Sequence, residues 1–179
     1  MNKIIFLDVD GPLIPGRMYR TSRGTHRKDE NCVVTGYHFD PVAVSMLHKI
    51  CGETGAKIVW NTAHNARGLS DLWSDADANG LPRDLFHEDA QTAYPGGYDK
   101  IPGSALLGSI SRILAITRWL NEHPHTEAWV AIDDELIDTP RLIHIDFEMG
   151  MTVETYDLAL SLLNGAVNEE TSKLHEVSA

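Results

Sequence analysis

The sequence predicts an α/β chain built on a doubly wound parallel sheet with a small flap insertion, and three observations carry that prediction. Short apolar runs of strand length, Ile4–Leu7, Lys57–Trp60 and Ala128–Ile132, alternate with stretches of helical periodicity. Alternation of this kind implies right-handed crossovers between parallel strands whose two faces are both covered. Two of the runs end in paired carboxylates, Asp8/Asp10 and Asp133/Asp134, and a third ends in the small polar residues Asn61 and Thr62. In open α/β sheets the carboxyl ends of the strands are where ligands bind. Finally, 179 residues with 42% hydrophobic content are enough for one substantial core and cramped for two.

Taken in order, the first strand runs into Asp8-Val9-Asp10-Gly11. Residues 12–38 are broken by Pro12, Pro15, Gly16, Gly24 and Gly36 and read as an inserted loop or hairpin. Asp40-Pro41 opens a helix as N-cap and first helical residue. Ala43, Met46, Leu47, Ile50 and Cys51 form its apolar face, and Gly55 ends it. The second strand, Lys57–Trp60, leads to Asn61 and Thr62. Residues 66–79 then read as a helix with Leu69, Leu72 and Trp73 on one face, stopped by Asn79-Gly80. A weak strand is expected near Leu85-Phe86, and residues 87–103, rich in turn formers, are expected to be a loop insertion.

Ser109 to Ser111 precede a helix running to about Glu122, with Ile113, Ile116 and Leu120 as its buried line. Arg112 stands at the predicted beginning of that helix, where a cation opposes the dipole and implies an anion close by. The strand Ala128–Ile132 follows, then a strand from Leu142 to Ile145, and a last helix capped by Thr152. One domain is expected over residues 1–165, with a flexible tail at 166–179.

The formal charge of −11 speaks against a surface made for long nucleic-acid duplexes. Against that background the flap is unusual, because Arg17, Arg20, Arg23, Arg27 and Lys28 place five of the fifteen Lys and Arg residues in one short stretch. Arg17 and Arg20 are candidates to grip substrate phosphates, with a solvated loop as the plainer reading. Cys32 and Cys51 show no metal-ligand spacing, which favours reduced thiols. Met-Asn-Lys ahead of Ile4 is too short for a signal peptide, and no run reaches membrane-spanning length, so a cytoplasmic setting without membrane contact is expected.

Asp8 and Asp10, two residues apart, leave an extended strand on the same side. Neighbouring carboxylates repel, and a divalent cation is the simplest way to keep both ionised. An Asp-x-Asp-Gly run also closes ordinary turns. The site reading gains from recurrence, since Asp133 and Asp134 arrive at the same sheet edge. Thr62 is a candidate phosphate ligand there, with Asn61 beside it. His64 is a weaker candidate contact, and Tyr94 and Tyr98 could stack on a base or simply pack their loop.

Leu7-Asp8-Val9-Asp10-Gly11, the strand ending at Thr62, the helix-borne Arg112 and Ile132-Asp133-Asp134 resemble the four motifs of the haloacid dehalogenase (HAD) superfamily, in order. The resemblance spans roughly residues 3–164. Val59–Ala63, the helix from Arg112 to Leu120, Trp129–Asp134 and Gly150-Met151-Thr152 are most similar to the HAD domains associated with RNA-repair proteins. The resemblance implies a Rossmann-like core and a phosphatase. Asp8 would be the nucleophile that forms an aspartyl-phosphate and Asp10 the general acid/base. Thr62 and Arg112 would bind the transferring phosphoryl group, with Lys100 as the alternative cation. Asp8, Asp133, Asp134 and the main-chain oxygen of Asp10 would hold Mg²⁺. A nucleotide or a nucleic-acid terminal phosphate is the implied substrate, because a cap this small leaves the site open. The alternative is a non-catalytic module of the same fold that binds phosphate or a partner.

Overall fold

The computed structural model describes residues 2–20, 25–32, 34–62, 69–92 and 105–165. The predicted tail, His64, Arg23, Tyr94, Tyr98 and Lys100 lie outside the described residues. The main sheet is parallel and five-stranded, formed by β1 (Asn2–Leu7), β4 (Lys57–Trp60), β5 (Phe86–Gln91), β6 (Thr126–Asp133) and β7 (Leu142–His144). A separate antiparallel pair, β2 (His26–Lys28) and β3 (Val34–Tyr37), makes the flap a hairpin. The helices are α1 (Pro41–Thr54), α2 (Leu69–Ala78), α3 (Ala105–Glu122) and α4 (Val153–Leu163).

In the order β5-β4-β1-β6-β7 the chain first builds outward from β1 on one side and then returns to build on the other. The switch falls between β1 and β6, and crevices at such switch points are where doubly wound sheets bind ligands. Leu7 pairs with Trp60 on one side and with Ile132 on the other. The residues that follow, Asp8, Asn61 and Asp133, therefore form a row at the carboxyl edge.

Strand alternation decides what that row faces. Ile5 and Leu7 pack into the core shared with Leu47 and Ile50 of α1 and Ala159 and Leu162 of α4, whereas Ile4 and Phe6 pack with Ile116 and Trp119 of α3. Phe6 meets Trp119 edge to face at 5.4 Å between ring centroids. Continuing the period of two, Asp8 belongs to the α3 face with Ile4 and Phe6, and Asp133 belongs there with Ala131. On α3, Arg112 shares a face with Ile116 and Trp119 because residues four and seven apart stack along a helix. The same periodicities that bury the core thus aim two carboxylates and a guanidinium at one another.

Local signals at α1 and α4 hold as read. The Asp40 side chain accepts from Val42 N–H at 3.1 Å with Pro41 behind it, and Gly55 closes the helix at φ 72°. Thr152 and Thr155 cap α4 reciprocally. Two expectations need correction. The stretch from His87 is strand as far as Gln91, an edge strand paired with β4, because β4 supplies a partner that the polar sequence His-Glu-Asp does not advertise. Arg112 is not at a helix start: α3 begins at Ala105, which places Arg112 two turns in and removes the dipole argument, although the anions that argument called for are present. No helix among the described residues is long and apolar enough to cross a membrane, and Cys32 and Cys51 are free thiols, one exposed and one buried.

Candidate active site

Arg112 is the hub of the carboxyl edge. Its Nη1 lies 2.7 Å from Asp133 Oδ2, 3.0 Å from Asp8 Oδ2 and 3.1 Å from the Asn61 carbonyl, and its Nε lies 3.1 Å from Glu135 Oε2. The guanidinium side chain is only 6% exposed, and Asp8 and Asp133 are buried with it. Among the described residues one cation thus stands among three carboxylates, two of them buried. Glu135 follows the second carboxylate pair directly in sequence, but nothing in its spacing announces a partner on α3.

The balance of charge shows in protonation. Burial and then the neighbouring Asp8 charge push the Asp133 carboxyl up to about 8, with Arg112 pulling in the opposite direction. Burial and Asp8 likewise raise Asp134 to about 6. Asp8, Asp133 and Asp134 each offer an oxygen within 4.8 Å of the others. Asp8 Oδ1 is buried with no hydrogen-bond partner among the described residues. A buried, orphaned carboxylate oxygen beside two carboxyls driven towards protonation is the donor set a hard divalent cation satisfies. The residues present therefore fit the Mg²⁺ that the motif resemblance implies.

The turn after β1 is built around Gly11. Its φ is +79°, and a Cβ there would come within 2.8 Å of the Asp134 side chain, so the position needs glycine for both its backbone and the space. The loop at Gly150 closes on the same turn, where a Cβ would meet Pro15 at 2.9 Å. Asp10 is half-buried in this turn; burial first, and then the Asp10 charge, raise the Tyr19 hydroxyl above its ordinary value.

Thr62 is fully buried at the end of β4, one residue beyond Asn61, whose N–H donates to the Leu7 carbonyl at 2.9 Å. The Asn61 side-chain oxygen accepts from Thr92 Oγ1 at 2.9 Å, so its amide is anchored towards β5. Asp8, Asp133, Asp134, Arg112 and Asn61 are thus brought together, with Thr62 next in line. Arg17 and Arg20 are engaged elsewhere: Arg17 pairs with Asp40 and Arg20 with Glu148.

A family model described as the HAD domain in Swiss Army Knife RNA repair proteins matches residues 4–156. The chain belongs to this family. The match runs from β1 into α4 and so includes all four segments that converge here, the ends of β1, β4 and β6 and the middle of α3. Membership in this HAD family agrees with the parallel α/β core and is compatible with the Asp8, Asp133 and Asp134 cluster. Among curated proteins, none matches the chain.

Proposed function

We propose that this HAD domain is a Mg²⁺-dependent phosphatase that hydrolyses a phosphomonoester through an aspartyl-phosphate on Asp8. The observation that carries the reading is the contact of buried Asp8 with the Arg112 guanidinium at the switch point, beside two further carboxylates. Asp8, Asp133 and Asp134, with the main-chain oxygen of Asp10, would hold the cation, which when bound supplies charge neutralisation for an incoming phosphate dianion.

The remaining roles belong to the chain. Asp8 attacks phosphorus with one carboxylate oxygen while the substrate P–O bond breaks. Asp10, on the turn beyond it, gives a proton to the leaving oxygen. Asp10 then takes a proton from the water that attacks the acyl phosphate, which returns Asp8 as a carboxylate and releases inorganic phosphate. Arg112 offsets charge on the transferring phosphoryl group, and Thr62 donates its hydroxyl to it. Burial of Asp8 strengthens both effects by keeping water away from the reacting oxygen.

For the substrate we favour a nucleotide or a nucleic-acid terminal phosphate. The family's association with RNA repair supports this, as does the small hairpin insertion, which is no full cap domain. The flap has a smaller part in the proposal than its composition suggests. Arg17 also braces the capping carboxylate of α1, whereas Arg20, with a side chain 71% exposed, can turn from Glu148 to a substrate. The acidic net charge keeps extended duplexes out of the substrate class. A cytoplasmic setting accords with the two free thiols.

The test is phosphate release from nucleotides, sugar phosphates and 3′- or 5′-phosphorylated oligonucleotides, with Mg²⁺ or with chelator. Release that depends on Mg²⁺ and disappears in Asp8→Asn is the expected result. Undiminished activity in that variant would remove the nucleophile assignment, and silence across the panel would favour a phosphate-binding module without catalysis.

A further inference from the structure

Three metal-ligating side chains from two elements converge at the outer edge of the sheet, away from the carboxylate site. His87 and Asp89 lie on β5, the terminal strand of the sheet, in a stretch where its register with β4 is irregular, and both side chains meet His123. His123 follows the last residue of α3. Eleven residues separate it from Arg112, about 16 Å along the helix axis at the α-helical rise. We propose that His87, Asp89 and His123 form a second metal site, one that takes a first-row divalent transition metal of the zinc class and ties edge strand β5 to the carboxyl end of α3. The proposal is independent of the phosphatase reading.

The geometry has the features of a site with oriented ligands. Ligand atoms of the three side chains lie within 4.8 Å of one another, and His123 Nε2 is 2.9 Å from Asp89 Oδ2. His123 Nδ1 is 2.7 Å from the Trp119 carbonyl. With Nδ1 facing a carbonyl and Nε2 facing a carboxylate, the metal-free ring donates from both nitrogens as an imidazolium; a metal that displaces the Nε2 proton keeps the Nδ1–H bond to Trp119, and such a bond to the far nitrogen is what usually orients a metal-binding histidine. The His123 ring also stacks on Trp119 at 3.7 Å, and Trp119 is held by its own N–H bond to the Asp89 carbonyl at 3.0 Å. His87 stands edge-on to both rings, with centroids 5.0 Å from Trp119 and 5.2 Å from His123. Its Nδ1 accepts the Asp89 N–H at 3.0 Å, so the neutral ring has its lone pair on the Asp89 side, and ligation through it gives up that single hydrogen bond.

The donor types select the metal. Two imidazoles and one carboxylate suit zinc-class ions, whereas Mg²⁺ prefers all-oxygen sets such as Asp8, Asp133 and Asp134. Three protein ligands leave a fourth position for water. A cavity of about 230 Å³, bounded in part by Asp89, Gln91, Arg118 and His123, gives that water room.

The experiment measures Zn²⁺ binding to the full chain by competition with a chromophoric chelator, in excess Mg²⁺ so that the carboxylate cluster is occupied. One equivalent is expected, and Co²⁺ in its place should give the intense visible bands of a low-symmetry four-coordinate ion. Asp89→Asn and His123→Gln should each weaken binding by about tenfold or more, while Asp134→Asn leaves it unchanged. The Asp89 side chain is 66% exposed and its Trp119 contact uses the backbone, so Asp89→Asn keeps the fold intact. Zn²⁺ should raise the melting temperature of the parent protein and not of Asp89→Asn. Absence of Zn²⁺ binding in the parent, or equal affinity in Asp89→Asn, would overturn the proposal.

Discussion

Arginine meets carboxylate in two regions of this molecule, with opposite consequences. At the carboxyl edge one buried guanidinium serves Asp8, Asp133 and Glu135 together. In the flap each described arginine pairs with one carboxylate, Arg17 with Asp40, Arg20 with Glu148 and Arg27 with Asp75. Asp40 and Asp75 also accept backbone N–H groups, from Val42 and from Tyr37, so the flap pairs pin the insertion to α1 and α2. Charges matched one to one hold structure, whereas a cation outnumbered by buried anions leaves an unsatisfied demand for positive charge. That demand, and not the local density of arginine, marks the candidate site.

Removing Arg112 is the strongest way to break the contrast. Arg112→Ala strands several carboxylates in a closed site and should lower stability by about 3–5 kcal/mol, as for other broken buried ion pairs. If the phosphatase reading is right, activity should fall by roughly 10²–10³. Denaturant unfolding checks the first effect and phosphate release the second. Mg²⁺ should restore part of the lost stability in the variant, since it supplies the missing charge.

The pH dependence sharpens the same point. A carboxyl held up to about 8, as Asp133 is, keeps its proton in the folded metal-free protein while the unfolded chain has ionised from near 4 upward. The folded state then binds more protons, so this group lowers stability as pH rises through that window and has no further effect above it. Asp134 acts with the same sign up to about 6. Metal-free melting temperatures should therefore fall between pH 5 and pH 8 by more in the parent than in Asp133→Asn, and Mg²⁺ should reduce the fall.

Smaller effects are expected from the flap. Arg27→Met takes the guanidinium from a largely buried Asp75 and from the Tyr37 carbonyl, for a loss of about 1–3 kcal/mol. Glu148→Ala, at the exposed partner of Arg20, should change stability by less than about 1 kcal/mol. Equal losses in the two variants, measured by denaturant titration, would remove the distinction between the braced and the solvated flap pairs.

Much of this was legible in the residues. Apolar runs of strand length, the Asp40-Pro41 cap and the i, i+4 pattern of α1 are local signals, and local chemistry wrote them directly into the chain. Asp8, Asp133 and Asp134 were legible as a group because each follows a buried strand, and strand ends share an edge. The β5 extension was not, since its polar residues become strand only when β4 offers its backbone. The partnership of Arg112 was legible only in outcome: the sequence called for an anion beside it, but from a helix start that does not exist.

What the sequence alone determined is therefore the set of elements and the parity of each side chain on its strand or helix, because backbone geometry has fixed periods of two and 3.6 residues. Tertiary structure decided which charges meet. Registry between β1, β4 and β6 and the packing of α3 across them brought Arg112 to Asp8 and Glu135, while the docking of the flap paired Arg17 with the capping carboxylate of α1 and Arg27 with Asp75 of α2. Such pairings join residues well separated in the chain, and no local pattern specifies a partner that only folding brings within hydrogen-bond reach.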